Sequence, residues 1–428
     1  MTTMAPETET SLVGRAQAIL RGNDRGGYAV PTDRLYPFQW NWDSGFVAMG
    51  WATFDEPRAW SELAFLLKGQ WEDGMIPQIV FHAPSDDYFP GPDVWGIHRA
   101  PPTSGITQPP IIAVAALWLL RQARDVAAAE AQVAAMFPAL LAHHRWWEHA
   151  RDPHRTGLVA TLHPWETGMD NSPAWDEALD RVPTETTTVI KRRDTSHIDA
   201  SMRPRGVEYQ RFIHLVDLFR ENGWDPARMY EASPFRVADI GINAILLRAE
   251  RDLLVMAERF GSAAERAEIA ARIDRLAGGI ARLWSGAHGL FLSRDLISGQ
   301  PIPRATSAGF LPVFAGAATP TQVAAMAATV AAWRERAPWM VPSSEPDTAV
   351  FEPKRYWRGP VWAVVNWMIA DGFASNGEAA LAAAIHDQTR RLIAEAGFSE
   401  YFDPTTGEGI GGADFSWTAA IYLMLARD

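Results

Sequence analysis

The sequence contains no cysteine, which excludes disulfide staples, thiolate nucleophiles and cysteine-ligated zinc. Its fold must be held by packing. Positive charge is also scarce: 39 Lys and Arg stand against 51 Asp and Glu, a formal net charge of −12. Nucleic-acid affinity rests on a basic patch that releases counterions, so this balance argues against a phosphate-binding surface. The nearest basic run, Lys191-Arg192-Arg193, is flanked by Asp180, Glu185 and Asp194 and reads as a solvated loop. No apolar run reaches the roughly 18 residues of a membrane span. The stretch from Met1 to Ser11 is polar and acidic, without the basic start and apolar run of a signal peptide. A cytoplasmic protein with neither a nucleic-acid nor a membrane partner is expected. Also missing are a phosphate-binding loop ending in Gly-Lys-Ser/Thr, a Gly-x-Ser-x-Gly elbow and a His-Glu-x-x-His pair, so those chemistries lack their parts.

Strand-like alternation is rare. Apolar residues instead recur at helical spacing, as in Ile111, Val114, Ala115, Trp118 and Leu119. The spacing predicts twelve helices, near 43–54, 57–71, 109–124, 128–149, 206–222, 234–259, 262–284, 305–314, 319–334, 358–371, 376–396 and 414–427. Asp55-Glu56-Pro57, Ser233-Pro234 and Thr319-Pro320 read as helix entrances. Three connections are long, 72–108, 151–204 and 335–357, and long ordered loops are uncommon unless functional. Hairpins joined by alternating short and long links fit a closed ring in which outer helices cover inner ones and one rim collects the long loops. A stacked solenoid is the competitor, but no repeat of fixed period is present. No composition shift or Gly/Ser linker divides the chain, so residues 1–428 read as one domain. Within it, 1–12 read as a flexible N-terminal tail and 182–202, rich in Thr and charge, as a mobile lid or a disordered excursion.

The informative excess is tryptophan, 19 residues, several of them in those loops: Trp95, Trp165, Trp175, Trp339 and Trp357. An indole offers a flat face to the C–H side of a sugar ring and one N–H donor. Gly407, Gly409 and Gly412 form a literal Gly-x-Gly-x-x-Gly, but no strand is expected before it and the second half of a dinucleotide unit is missing. His143, His144 and His149 cluster beside Trp146 and Trp147 without a matching acidic cluster, and read as satisfied or solvated rather than metal-binding. Neither a metal nor another cofactor is expected.

What remains is acidic residues set in aromatic, glycine-rich segments. Tyr36-Pro-Phe-Gln-Trp-Asn-Trp-Asp-Ser-Gly45 crowds Trp40, Trp42 and Asp43 at a helix entrance, where Asp43 is either a cap or a sugar ligand. Trp165-Glu-Thr-Gly-Met-Asp-Asn-Ser-Pro173 holds Asp170 on irregular backbone. Glu400-Tyr-Phe-Asp-Pro leads through the glycines to Phe415-Ser-Trp-Thr418, and Tyr356-Trp-Arg-Gly-Pro-Val-Trp362 adds stacking surface. Two carboxylic acids on separate loops among Trp and Tyr fit glycoside hydrolysis, in which one protonates the leaving oxygen and the other activates water.

With these blocks in this order, the chain resembles glycoside hydrolase family 63 from about residue 30 onward, and within it the bacterial mannosylglycerate and glucosylglycerate hydrolases. The resemblance implies an all-α (α/α)6 toroid of six helical hairpins and an inverting mechanism. It implies Asp170 as general acid and Glu400 as general base. It implies sugar contacts from Tyr36, Trp40, Asn41, Trp42, Asp43, Tyr88, Gln108, Gly168, Tyr356 and Trp357, and a glycerate carboxylate held by Arg203 and Tyr209. The general acid needs a raised pKa, from an apolar site or from a nearby carboxylate such as Glu166. One position departs from the pattern. Where glycerate-specific relatives are expected to carry glutamine before Phe-Ser-Trp, Ala413-Asp414 stand, and Asp414 either faces inward or caps the last helix. The expected partner is a small glycoside, with association of identical copies left open. The alternatives are a trehalase-like hydrolase of a neutral disaccharide and a non-catalytic sugar-binding protein.

Overall fold

Capping side chains mark several helix entrances at or near the positions that the sequence predicts. The structure, a computed structural model, describes residues 9–33, 35–196 and 198–427. Among these, twelve helices of ten residues or more occur: α1 (Glu9–Gly22), α2 (Asn41–Ala52), α3 (Glu56–Leu67), α4 (Ile112–Gln122), α5 (Val126–Arg151), α6 (Gly206–Glu221), α7 (Ile240–Phe260), α8 (Ala263–Ala281), α9 (Pro320–Arg336), α10 (Ala363–Ser375), α11 (Ala379–Ala396) and α12 (Ser416–Leu425). Asp55 caps α3 by accepting from Arg58 N, and Ser262 with Glu265 and Thr319 with Gln322 form capping boxes at α8 and α9. The entrance expected at Ser233-Pro234 lies later. Asp239 accepts from the N–H groups of Gly241 and Ile242 and starts α7, while Val237–Ala238 pairs as a short strand with Arg294–Asp295.

The apolar pattern sorts the helices into two rings. Every residue of α2 and α12 is buried, as expected of a helix covered on all sides. The inner ring runs α2, α4, α7, the short turn Ser307–Ala315, α10 and α12, and α12 packs back on α2 to close it. Gly50 makes that closure tight: a Cβ there would stand 2.5 Å from Ala420 Cβ. Outside lie α3 on α2, α5 on α4, α8 on α7, α9 against Ser307–Phe310 through Trp333 on Phe310, α11 on α10 and α1 on α12. This is the (α/α)6 toroid. Among the described residues four two-stranded antiparallel ribbons decorate it, and the buried apolar residues form one cluster from Leu12 to Leu425.

The expected count of twelve is met by a different set. Residues 9–12 are not a tail: Leu12, Ala16, Ile19 and Leu20 bury one face of α1, which completes the sixth hairpin with α12; residues 1–8 lie outside the described residues. Helix α6 packs beside Pro226–Ala232 and is not among the helices that form either ring. The expected helix 305–314 breaks into a 3₁₀ turn, Ser307–Phe310, and one helical turn, Pro312–Ala315. Among the described helices only α5, 26 residues, is long and apolar enough to cross a membrane; it packs against α4 and α7.

Candidate active site

The long connections converge at one rim around a cavity of about 740 Å³, open solvent at its mouth included. Asp170 and Glu400 both line it, with Tyr36, Trp40, Trp42, Asp43, Tyr88, Gln108, Gly168, Arg203, Tyr209 and Tyr356.

Asp170 owes its position to a buried ion pair. Arg151, at the end of α5, donates to Glu166 at 2.6 Å, and the other Glu166 oxygen accepts from Leu162 N at 2.7 Å. This fixes the 3₁₀ turn Pro164–Thr167, which ends at Gly168 with φ +68°. A side chain at Gly168 would put its Cβ 2.8 Å from the Trp42 ring, so this position needs glycine for both backbone and space. Beyond it, Trp175 Nε1 donates to Met169 O at 2.8 Å, and Asn171 Oδ1 accepts from Trp357 N at 3.0 Å. Arg358 closes the clasp with a two-pronged contact to Asp176 at 2.7 and 2.8 Å. Glu166 is therefore spent on Arg151 and is not what raises Asp170. Burial pushes the Asp170 carboxyl up to about 7 against the pull of Arg203, with Glu400 and Asp194 adding like charge. At neutral pH this group can hold a proton to give.

Glu400 opens a two-stranded ribbon, Tyr401–Phe402 against Gly409–Ile410. The glycine triplet is thus an antiparallel hairpin, preceded after all by a short strand, and its last member serves the carboxylate. Glu400 N donates to Gly412 O at 2.8 Å, and Gly412 N donates to Glu400 Oε2 at 3.0 Å. Tyr36 donates to Oε1 at 3.1 Å, and Arg203 Nη1 stands 3.7 Å away. Burial raises the Glu400 pKa, while Arg203, Gly412, Tyr36 and Tyr356 pull it back.

Arg203 is buried under the Tyr356 ring, 4.1 Å from its centroid, and donates to the Tyr36 hydroxyl at 2.7 Å. Its Nη1 has no hydrogen-bond partner. Tyr209 presents its body to the cavity, but its hydroxyl donates to Phe89 O at 2.9 Å. Asp43 sits in the first turn of α2 and does not cap it; burial, with Glu400 and Glu62 nearby, lifts its pKa well above the usual carboxylate range.

Two expected sugar contacts stand behind the wall. Asn41 is fully buried and donates to Ile76 O at 3.3 Å, and Trp357 stacks on Trp362 at 3.8 Å, in contact with the Trp42 ring. Neither lines the cavity, so both shape it from behind. Asp414 neither faces inward nor caps α12; its side chain is 63% exposed and lies 3.7 Å from Arg15. Of the basic run, Lys191 and Arg193 are exposed as expected, whereas Arg192 is half-buried and stacks 4.5 Å from the Tyr209 ring. His143 is buried with its two ring nitrogens 3.2 Å from Ile76 N and 3.1 Å from Trp147 Nε1, one of them accepting, while His144 faces Glu250 at 3.1 Å. Among the described residues no cluster of His, Asp and Glu could hold a metal.

The sequence reading missed Gln78, Trp165, Asp194 and Trp417 as wall residues. Trp165 and Trp417 lay inside blocks already singled out, and Asp194 was visible as the acidic neighbour of the basic run. Gln78 carried no signal.

Comparison with known proteins agrees with this geometry. The mannosylglycerate hydrolase of Thermus thermophilus is 49% identical over 416 residues, 96% of this chain and 100% of that protein. The glucosylglycerate hydrolase of Mycolicibacterium hassiacum is 34% identical, covering 97% of this chain and 98% of its own length. The crystal structure of a family 63 mannosylglycerate hydrolase from Thermus thermophilus with Tris and D-glycerate superposes with a TM-score of 0.94 at 49% identity, over 96% of this chain and 99% of that one. The profile of the mannosylglycerate hydrolase MGH1-like glycoside hydrolase domain matches residues 36–418, and the chain belongs to that family of glycoside hydrolases.

Proposed function

We propose that this enzyme hydrolyses a small α-glycoside with a carboxylate-bearing aglycone, glucosylglycerate or mannosylglycerate, by a single displacement with inversion. The carrying observation is that one cavity joins a carboxyl with a pKa of about 7, Asp170, to the buried Arg203 and the hydrogen-bonded carboxylate Glu400. Asp170 gives its proton to the glycosidic oxygen as the bond from C1 to that oxygen breaks. Glu400 takes a proton from water as the water oxygen bonds to the opposite face of C1. Proton count balances: one enters the glycerate hydroxyl, one arrives on Glu400, and solvent exchange resets both groups. Arg203 offers a planar fork to the glycerate carboxylate. Trp40, Trp42 and Tyr88 supply ring faces for the sugar, with the Trp40 and Tyr88 rings edge-to-face at 5.5 Å. Residues 182–202 act as the cover over the aglycone end, since Asp194 reaches the wall from that segment.

The reading is tested by incubating the protein with glucosylglycerate, mannosylglycerate, glucosylglycerol, trehalose and kojibiose and measuring free sugar. Preferential cleavage of the two glycerates is expected. Preferential cleavage of trehalose or kojibiose would replace it with the disaccharide reading. NMR of the first-formed sugar should show the β-anomer; an α product would exclude inversion.

A further inference from the structure

Asp194 is the one carboxylate of the 182–202 segment, among its described residues, that lines the cavity. It accepts from Arg192 Nε and Nη2 at 2.9 and 2.6 Å, and its Oδ2 lies 3.5 Å from Arg203 Nε. These two guanidinium groups hold its pKa below the usual carboxylate range, so it is charged. An incoming aglycone carboxylate would meet that charge at the same guanidinium. Of the other acidic groups on the wall, burial raises Asp170, Asp43 and Glu400 alike, and Arg203, 3.7 Å from Glu400, pulls the last of these back toward its charged form.

We infer that Asp194 is a resident anion, which occupies the Nε edge of Arg203 in the unliganded enzyme and competes there with the carboxylate of the aglycone. The inference rests on the proposed carboxylate-bearing substrate and adds the residue that sets how tightly it is held. Asp194 is not needed to orient Arg203. That side chain is already fixed by the Tyr36 hydroxyl at 2.7 Å and by the Tyr356 ring, and its carbonyl accepts from Arg355 at 2.8 Å. The contact with Asp194 is the longest of its hydrogen bonds. Asp194 also has an alternative home, because its two-pronged pairing with Arg192 does not depend on Arg203. Arg192 in turn stacks on Tyr209 and donates to Pro204 O at 2.9 Å, which anchors it beside the cavity. Substrate binding therefore exchanges one anion for another on Arg203 and leaves Asp194 to Arg192.

The test is Asp194→Asn, which keeps shape and removes charge, with Arg192→Met as its opposite. Kinetics with glucosylglycerate, mannosylglycerate and neutral glucosylglycerol give the ratio of KM for the neutral to the anionic substrate. Titration calorimetry gives the Kd of D-glycerate itself. For Asp194→Asn the ratio should rise at least about fivefold and glycerate should bind at least about fivefold more tightly, as expected when a like charge leaves a partly buried site. Arg192→Met frees Asp194 to pair with Arg203 and should shift both quantities the other way. Equal or weaker glycerate binding to Asp194→Asn overturns the inference, as does an unchanged or falling ratio. If the wild type cleaves neither glycosyl glycerate, the proposed substrate fails, and the glycerate titration still decides the role of Asp194.

Discussion

Arg203 and Glu400 are joined twice. Arg203 Nη1 lies 3.7 Å from Glu400 Oε1, and the Tyr36 hydroxyl bridges them, accepting from Arg203 at 2.7 Å and donating to Glu400 at 3.1 Å. The cation favours the ionised form of a carboxylate that burial would otherwise protonate, so in the proposed mechanism substrate recognition and base strength share one guanidinium.

Tyr36→Phe tests the bridge. Losing a hydrogen bond to the charged form raises the Glu400 pKa, so the acid limb of the kcat–pH profile should move to higher pH. kcat at neutral pH should fall about 10- to 100-fold, the worth of a hydrogen bond to a charged group. A variant with an unmoved acid limb would separate Tyr36 from the base.

Asp170 sets the other limb. As the proposed general acid Asp170 must be protonated, so kcat/KM of the wild type should fall as pH rises through about 7. Asp170→Asn should lose about 100- to 10,000-fold in activity. It should also be more stable at high pH. A carboxyl whose folded pKa is raised stabilises fully below the unfolded value of about 4, and that contribution is lost as pH climbs through 7. Asparagine carries no such loss, so urea unfolding at pH 8 should favour the variant by ~2 kcal/mol after screening by cavity water, and the advantage should vanish at pH 4. Equal stabilities at both pH values would contradict a raised Asp170 pKa.

The Arg151–Glu166 pair is the support beneath the acid. Arg151→Met strands a buried carboxylate and should cost about 3–5 kcal/mol by chemical denaturation, whereas adding Glu166→Gln should recover part of that loss. Additive losses in the double variant would show that the two residues do not act as a pair.

Leu20→Ala reports on α1. Its side chain is fully buried, so the substitution should cost about 2–5 kcal/mol, with far-UV dichroism retained. A loss below about 0.5 kcal/mol, the level of a surface change, would mean that α1 is not a structural part of the ring.

The strongly apolar inner helices were readable because their signal is long and dense; α2, α4 and α12 fall within a few residues of expectation. Helix α1 escaped because its apolar face is thin, four residues at 12, 16, 19 and 20 after an acidic start. The segment 305–314 reads as one helix because Phe310, Leu311, Val313 and Phe314 are apolar at close spacing, although the backbone changes from 3₁₀ to α at Leu311-Pro312. At the site, aromatic and glycine-rich surroundings made Asp170 and Glu400 plausible, the family resemblance singled them out, and both line the cavity. The partners that hold them, Arg151 and the backbone of Gly412, were not, because those contacts form only once distant segments pack. Trp357 and Asn41 were expected as sugar contacts from residue type and motif; they do not line the cavity, and Trp357 stacks on Trp362 while Asn41 donates to Ile76 O.

The sixth hairpin is made of the first and last described helices, and Asn23 ties them by donating to Ser416 at 2.9 Å across 393 residues of sequence. During synthesis Asp170 leaves the ribosome long before Glu400, on a partial ring whose inner face is still open. The loop-closure cost of that last seam is modest, growing only by about 0.6 kcal/mol per doubling of length, but it falls due at the end. Catalytic competence is thus a late event in the life of each chain. The cavity wall draws Tyr36 and Trp417 from opposite sides of that seam, so an unclosed molecule lacks the pocket in which Asp170 and Glu400 are proposed to act, and onset of activity during refolding should follow ring closure.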